Sequence, residues 1–199
     1  MAMTVRQQKI VTVAVRLLAE RGIQQLTLKN LAAELKVSEP AIYRHFTGKY
    51  AILDAVLDSF AEIAQSVLDE LPADTMDPLT GIELFIRDRL ERMNANPPLA
   101  KVMFSEELFQ DDPQLAEKVL SIMHSHKVRT ETLILRGQAE GKIRPEIDPT
   151  VLFRLIFGPL RLLIKQWGLS GYRFELLAEG MKQWRTIRDL IELPGNRPE

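Results

Sequence analysis

Arg44 carries a planar guanidinium whose fork matches the O6 and N7 acceptors of guanine, a pairing worth about 1–3 kcal/mol of base discrimination. Pro40 and Ala41, within one helical turn of it, offer small apolar surfaces of the kind that meets a thymine methyl group. Tyr43 and His45 add donors able to reach phosphates on either side, and Lys49 follows with an ammonium for a charge-assisted phosphate contact. Thr27 and Ser38 bring hydroxyls to two places where a helix can begin, and helix starts favour phosphate oxygens. This is the chemistry of groove reading. Bond-breaking chemistry has no matching constellation: the sequence shows no nucleophile beside a base, no metal-ligand spacing and no phosphate-cradling glycine loop, so no enzyme activity and no cofactor are expected.

These side chains need a scaffold that aims them. Thr27 caps a short helix whose inner face is Leu28, Leu31, Ala32 and Leu35. Lys36 and Val37 make a turn, Ser38 caps a third helix, and Pro40 is tolerated in its first turn. With Ile42 and Phe46 placed inward at about 100° per residue, Pro40, Ala41 and Arg44 face outward and Tyr43 and His45 lie on the flanks. A preceding helix over about 4–21, striped by Ile10, Val13, Ala14, Leu17 and Leu18 and stopped at Gly22, braces the pair. The arrangement is a helix-turn-helix, whose second helix enters the major groove.

The segment LTLKNLAAELKVSEPAIYRHFTGKYAIL resembles the DNA-binding domain of the TetR family. The shared features are T-x-x-x-L-A on the second helix, V-S-x-x-x-x-Y-x-H-F on the recognition segment, and a lysine three residues after that phenylalanine. Residues 5–55 carry the resemblance. By matching position it implies base contacts from Lys29, Glu39, Pro40, Ala41 and Arg44, and backbone contacts from Thr27, Ser38, Tyr43, His45 and Lys49. Glu39 faces phosphates that repel it, and can instead accept from cytosine N4. Tyr50 departs from the family pattern, which often has an acid there.

Charge distribution agrees. Net charge is −1, yet residues 1–50 hold eight Lys and Arg against three acids, whereas the remainder holds 18 against 24. A basic end on an acidic body suits a protein that meets phosphates only at that end. The chain contains no cysteine, which excludes disulfides and thiolate metal sites, and its most apolar stretch, Val151 to Trp167, is interrupted by Arg154, Arg161 and Lys165. No signal peptide is visible, so a cytoplasmic protein without a membrane partner is expected.

The remaining periodicity is helical, and the expected fold class is all-α with about nine helices. Helices are expected near 49–70, 78–95, 98–110, 113–140, 148–168 and 173–191, with a linker at 72–78. The domains are expected as 1–48 for DNA binding, 49–193 for effector binding and dimerisation, and 194–199 as a disordered tail.

Tight recognition usually needs two helix-turn-helix units, and the last two helices offer apolar surface for a homodimer. Val151, Leu155, Leu162, Leu177, Gly180, Met181 and Trp184 are the expected interface, and Gly158-Pro159 is expected to kink the first of these helices. The resemblance implies the same pairing, as a four-helix bundle. It also implies a pocket among the middle helices, where Phe85, Met93, Met103, Phe104, Met123, Phe153 and Phe157 are candidate contacts for an unknown apolar or amphipathic small molecule. His124 and His126, two apart on a helix, point in different directions, and no metal site is expected. The expected function is a ligand-released repressor on a palindromic, double-stranded operator. The alternatives are control by a protein partner, or activation.

Overall fold

The structure is a computed structural model and describes residues 3–70, 76–105 and 108–193, the side chains of residues 63–70 excepted. Most of the expected linker and the whole 194–199 tail lie outside the described residues. Nine α-helices follow in order among the described residues: α1 (Val5–Arg21), α2 (Leu28–Leu35), α3 (Glu39–Tyr43), α4 (Lys49–Glu70), α5 (Pro78–Ala95), α6 (Pro97–Met103), α7 (Pro113–Ala139), α8 (Pro149–Leu169) and α9 (Leu176–Ile191). A single bridge, Ile143 to Glu192, is the extended pairing among them. The expected all-α class is what forms. The helix expected over 98–110 stops at Met103, and α8 continues as helix through Pro159.

By packing, the chain divides into two units, residues 1–63 with 98–122 and residues 64–97 with 123–199. The divisions fall inside α4, after the first residue of α6 and inside α7, whereas the sequence reading places its boundary at 48.

The first unit starts with a capping box. The Thr4 hydroxyl accepts from the Gln7 amide nitrogen at 3.2 Å, while Thr4 N–H donates to the Gln7 side chain at 3.0 Å. Ile10, Ala14, Leu17 and Leu18 form the buried stripe of α1, and Val11, Val15 and Ala19 widen it. Gly22, at φ 77, ends the helix in a conformation that L side chains rarely adopt. Leu31 and Ala32 bury the inner face of α2. Lys36 then takes the left-handed conformation, φ 54, and its N–H and that of Val37 satisfy the carbonyls of Ala33 and Ala32. Ile52, Leu53, Val56, Leu57 and Phe60 of α4 complete the unit's core with Leu99, Val102, Phe109 and Leu115.

In the second unit, Asp77 and Asp148 start α5 and α8 in the same way. Each carboxylate accepts from backbone N–H groups of the first turn, at 2.8 Å from Thr80 and at 2.9 Å from Thr150, with a proline at the following position. α9 packs on α5 and α8. Its approach to α5 is close because Gly180 has no side chain: a Cβ there would meet Leu90 Cδ1 at 2.4 Å. One turn on, Trp184 is fully buried and donates from Nε1 to Glu83 at 3.1 Å.

Candidate DNA interface and effector body

The recognition segment is built around two buried apolar anchors. Ile42 is fully covered and Phe46 is 6% exposed, and both amides at the end of the segment, His45 N–H and Phe46 N–H, return to the Ile42 carbonyl. Glu39, Pro40, Tyr43 and Arg44 consequently face solvent, Tyr43 at 53% exposure, while Ala41 and His45 are half-buried on the edges. The α1 N-terminus braces this segment from behind, since Gln7 Nε2 donates to the His45 carbonyl at 3.4 Å. Thr27 and Lys29 are exposed on the preceding helix. The Thr27 hydroxyl accepts from the Asn30 N–H at 3.1 Å, which leaves its proton available to a phosphate. Ser38 is the N-cap residue of α3, as expected, with extended backbone, but its hydroxyl makes no capping bond and the residue is exposed.

Lys49 is half-buried and donates to the Ile23 carbonyl at 2.8 Å, tying the start of α4 to the 3₁₀ turn after α1. Its role is thus partly to hold the head together. The cationic surface is also narrower than the residue count implies. Arg16 and Arg21 both converge on Glu34, at 2.6 and 2.9 Å, whereas Arg6, Lys9, Lys29, Lys36 and Arg44 have no carboxylate partner among the described residues. Two tertiary partners escaped the sequence reading. Tyr50 donates its hydroxyl to Gln114 at 2.8 Å, and Lys118 bridges Asp54 and Asp58. The partners lie some sixty residues apart in the chain, and no local pattern pairs them.

In the second unit, aromatic side chains gather around two polar groups. Phe85 meets Phe157 edge-on at 5.6 Å, and Phe157 meets Phe153 at 5.1 Å. The Arg89 guanidinium lies 5.1 Å from the centre of the Phe85 ring and is 3.1 Å from His126 Nε2. Because the guanidinium can only donate, Nε2 is the acceptor and the imidazole proton sits on Nδ1. The sequence singles out His126 only as a metal candidate to be set aside, and Arg89 not at all; the four-residue spacing of Arg89 from Phe85 was the available signal. Of the other candidate contacts, Met93 is buried and Met123 stands 44% exposed, while Met103 and Phe104 are half-buried in the first unit. Among the described residues no three His, Cys, Asp or Glu side chains converge as metal ligands would.

Burial, reinforced by the charges of Arg89 and Arg129, holds the His126 pKa down to about 3. An unfolded histidine titrates near pH 6.5. The unfolded chain therefore takes up a proton that the folded chain refuses. This contribution to stability is complete above pH 6.5 and is lost as pH falls towards 3, at up to about 1.4 kcal/mol per pH unit. His126→Gln should flatten the fall of the unfolding midpoint between pH 6.5 and 4. Parallel curves for the two proteins would show the group carries no such linkage.

The expected dimer residues divide sharply. Val151, Leu155 and Leu162 stand out from α8 at 50%, 38% and 58% exposure, with Leu169 at 80% on the same line. Leu177 is half-buried. Gly180, Met181 and Trp184 turn into the chain's own core, Gly180 against Leu90 and Trp184 against Glu83. All three are covered within the chain itself, whereas the α8 residues stand open.

Comparison with known sequences places this geometry. Residues 10–56 match the family described as bacterial regulatory proteins, tetR family, and residues 54–189 match the C-terminal region of YsiA-like proteins. The nucleoid occlusion factor SlmA of Pasteurella multocida is 29% identical, over 94% of each chain, and that of Aliivibrio fischeri is 23% identical, over 94% of this chain and 95% of its own. Among solved structures, the fatty acid degradation regulator FadR of Bacillus halodurans aligns over the whole of both chains with a TM-score of 0.79 at 20% identity. A FadR from Bacillus subtilis in complex with stearoyl-CoA aligns over 90% of this chain and 96% of its own, with a TM-score of 0.76 at 21% identity. At these identities the structural likeness concerns the fold.

Proposed function

From the premise that the chain belongs to the TetR family of bacterial regulatory proteins, we propose that it is a homodimeric repressor released from a palindromic operator by a small apolar or amphipathic molecule. The observation that carries the DNA-reading part is the exposed set Pro40, Tyr43 and Arg44 held by the buried pair Ile42 and Phe46. Arg44 reads a base, Pro40 and Ala41 meet thymine methyls, and Tyr43, His45, Thr27 and Ser38 fix the register on phosphates. Lys29 and Glu39 stand exposed beside them as further base contacts. Dimerisation is supported by the apolar line Val151, Leu155, Leu162 and Leu169, which repeats every three to four residues or multiples of that along α8. No helix among the described residues is long and apolar enough to cross a membrane, in keeping with a protein that works on DNA in the cytoplasm.

The effector reading rests on the aromatic cluster of Phe85, Phe153 and Phe157 with the hydrogen-bonded Arg89 and His126 beside it. That arrangement suits a molecule with an apolar body and a polar end. Stearoyl-CoA, bound by the Bacillus subtilis FadR, is the first probe. Titrated into the protein–operator complex, stearoyl-CoA or a shorter amphiphile of its class should weaken operator binding by about 5- to 150-fold, the usual range of such coupling. Indifference to the whole series would remove the effector from the account while leaving DNA binding intact.

A second reading, a DNA-bound protein controlled by a protein partner, is favoured by the SlmA relatives, whose name describes nucleoid occlusion. It predicts operator binding that ignores amphiphiles.

A further inference from the structure

Within the first unit, α4 and the opening turns of α7 are joined by a polar seam. Tyr50, Asp54 and Asp58 recur every four residues and so lie on one face of α4. Gln114 and Lys118, also four apart, face them from α7. The Tyr50 hydroxyl donates to Gln114 Oε1 at 2.8 Å. Lys118 Nζ donates to Asp54 Oδ1 at 2.5 Å, to the Asp54 carbonyl at 3.1 Å and to Asp58 Oδ1 at 2.7 Å. An ammonium has three protons, and all three are committed to two successive turns of one helix. Burial lowers the Lys118 pKa, but the two carboxylates more than offset it and hold it above the ordinary lysine value. Without Lys118, two like charges four residues apart would repel along α4.

The α7 end of the seam is itself anchored. The Asp112 carboxylate accepts from Gln114 N–H at 3.0 Å and Leu115 N–H at 3.2 Å, and Leu115 is buried in the core. The other end lies beside the recognition segment: α4 begins at Lys49, three residues after the buried Phe46. Asp54 is five residues into the helix, roughly 7.5 Å from its start at 1.5 Å per residue. A tilt of α4 at Asp54 therefore reaches the recognition helix within one and a half turns.

We infer that Lys118 is a positioning residue for DNA binding: by holding Asp54 and Asp58 it sets the direction of α4, and with it the aim of α3 into the groove. The first turns of α7 are thus a working part of the DNA-reading unit, though they lie far beyond its sequence boundary. The inference rests on the DNA-binding reading above. Freed of Lys118, the head would sample orientations that only a fraction of encounters could use, and ordering it on DNA would lower affinity. No phosphate contact is involved, because the ammonium has no proton left to give.

The test uses the full chain and the genomic fragment that the wild-type protein selects most strongly. Lys118→Glu should weaken binding to it at least tenfold with the salt dependence unchanged. Lys118→Met, which removes the bonds without adding a charge, should move affinity in the same direction and serves if the first variant folds poorly. Exchanging charges on both helices, Lys118→Glu with Asp54→Lys and Asp58→Lys, rebuilds both pairs and should restore affinity to within threefold. Ser121→Glu, an added charge on the exposed side of the same helix, should change nothing. The inference is overturned if the Lys118 variants lose thermal stability yet bind within twofold of wild type. A salt slope lower by about one, the mark of a direct phosphate contact, overturns it, as does a Ser121→Glu loss equal to that of Lys118→Glu. Failure of the wild-type protein to select any fragment would instead overturn the regulator reading itself.

Discussion

Arg44→Ala should cost operator binding about 1–3 kcal/mol per half-site, and the loss should be confined to one base pair in each. The side chain projects into solvent from the C-cap of α3, with no carboxylate partner among the described residues, while the neighbouring Ile42 is fully buried. Removing it therefore leaves the fold untouched and deletes a reading contact. The variant should bind a wrong base at that position as well as the right one, which is what separates a reading residue from a generic cation. Lys49→Ala should behave differently. It should weaken binding to operator and unrelated DNA alike, and it should also loosen the 3₁₀ turn whose Ile23 carbonyl it holds. If Arg44→Ala instead weakens all sequences equally, the guanidinium sits on a phosphate and the docking described here is rotated.

The largest expected stability effect is in the other unit. Trp184→Ala should destabilise the chain by about 3–5 kcal/mol, the cost of emptying a fully packed aromatic site. Trp184 has no exposed surface, stands one turn from the contact of Gly180 with Leu90, and gives its indole N–H to Glu83. Glu83 also receives Arg87 at 3.4 Å and Arg188 at 3.6 Å, so losing the indole leaves the carboxylate partnered. The loss should thus arise mainly from the cavity. Trp184→Phe, which keeps most of the volume and drops the bond, should cost nearer 1 kcal/mol. Urea midpoints for the three proteins decide this. A loss below 1 kcal/mol for Trp184→Ala would mean that α9 is not held on α5 in the way described.

The same tryptophan shows where reading the sequence stops. The helix-turn-helix was legible because its signals are local: Thr27 before an apolar face, the spacing of Ile42 from Phe46, and Gly22 where α1 must end. The turn at Lys36 was placed as well, but not its left-handed backbone, since lysine has no preference for positive φ. Ser38 has the right chemistry for a cap and the right place, yet makes no capping bond. On α9, Gly180 is a point of close approach. The neighbour is Leu90 of α5 rather than a second chain. Periodicity tells which residues share a face, but not what covers it: the face of Gly180, Met181 and Trp184 is covered by the chain's own core. The same limit hid the seam of Tyr50, Asp54 and Asp58 with Gln114 and Lys118. Each residue there looks like a solvated helix position until the two helices are side by side. Tyr50, which departs from the family pattern, has its explanation in that seam.

If two copies of α3 read the two halves of one DNA site, the site itself must be symmetric. Selection of genomic fragments by the purified protein, followed by footprinting of the strongest, tests it most directly. The expected result is an inverted repeat whose half-site centres lie one DNA turn apart, about 10–10.5 base pairs, or a multiple of that. Arg44→Ala should also lose preference at one symmetric position in each half. Recovery of no enriched sequence, or of a single unrepeated site selected equally well by Arg44→Ala, would contradict it.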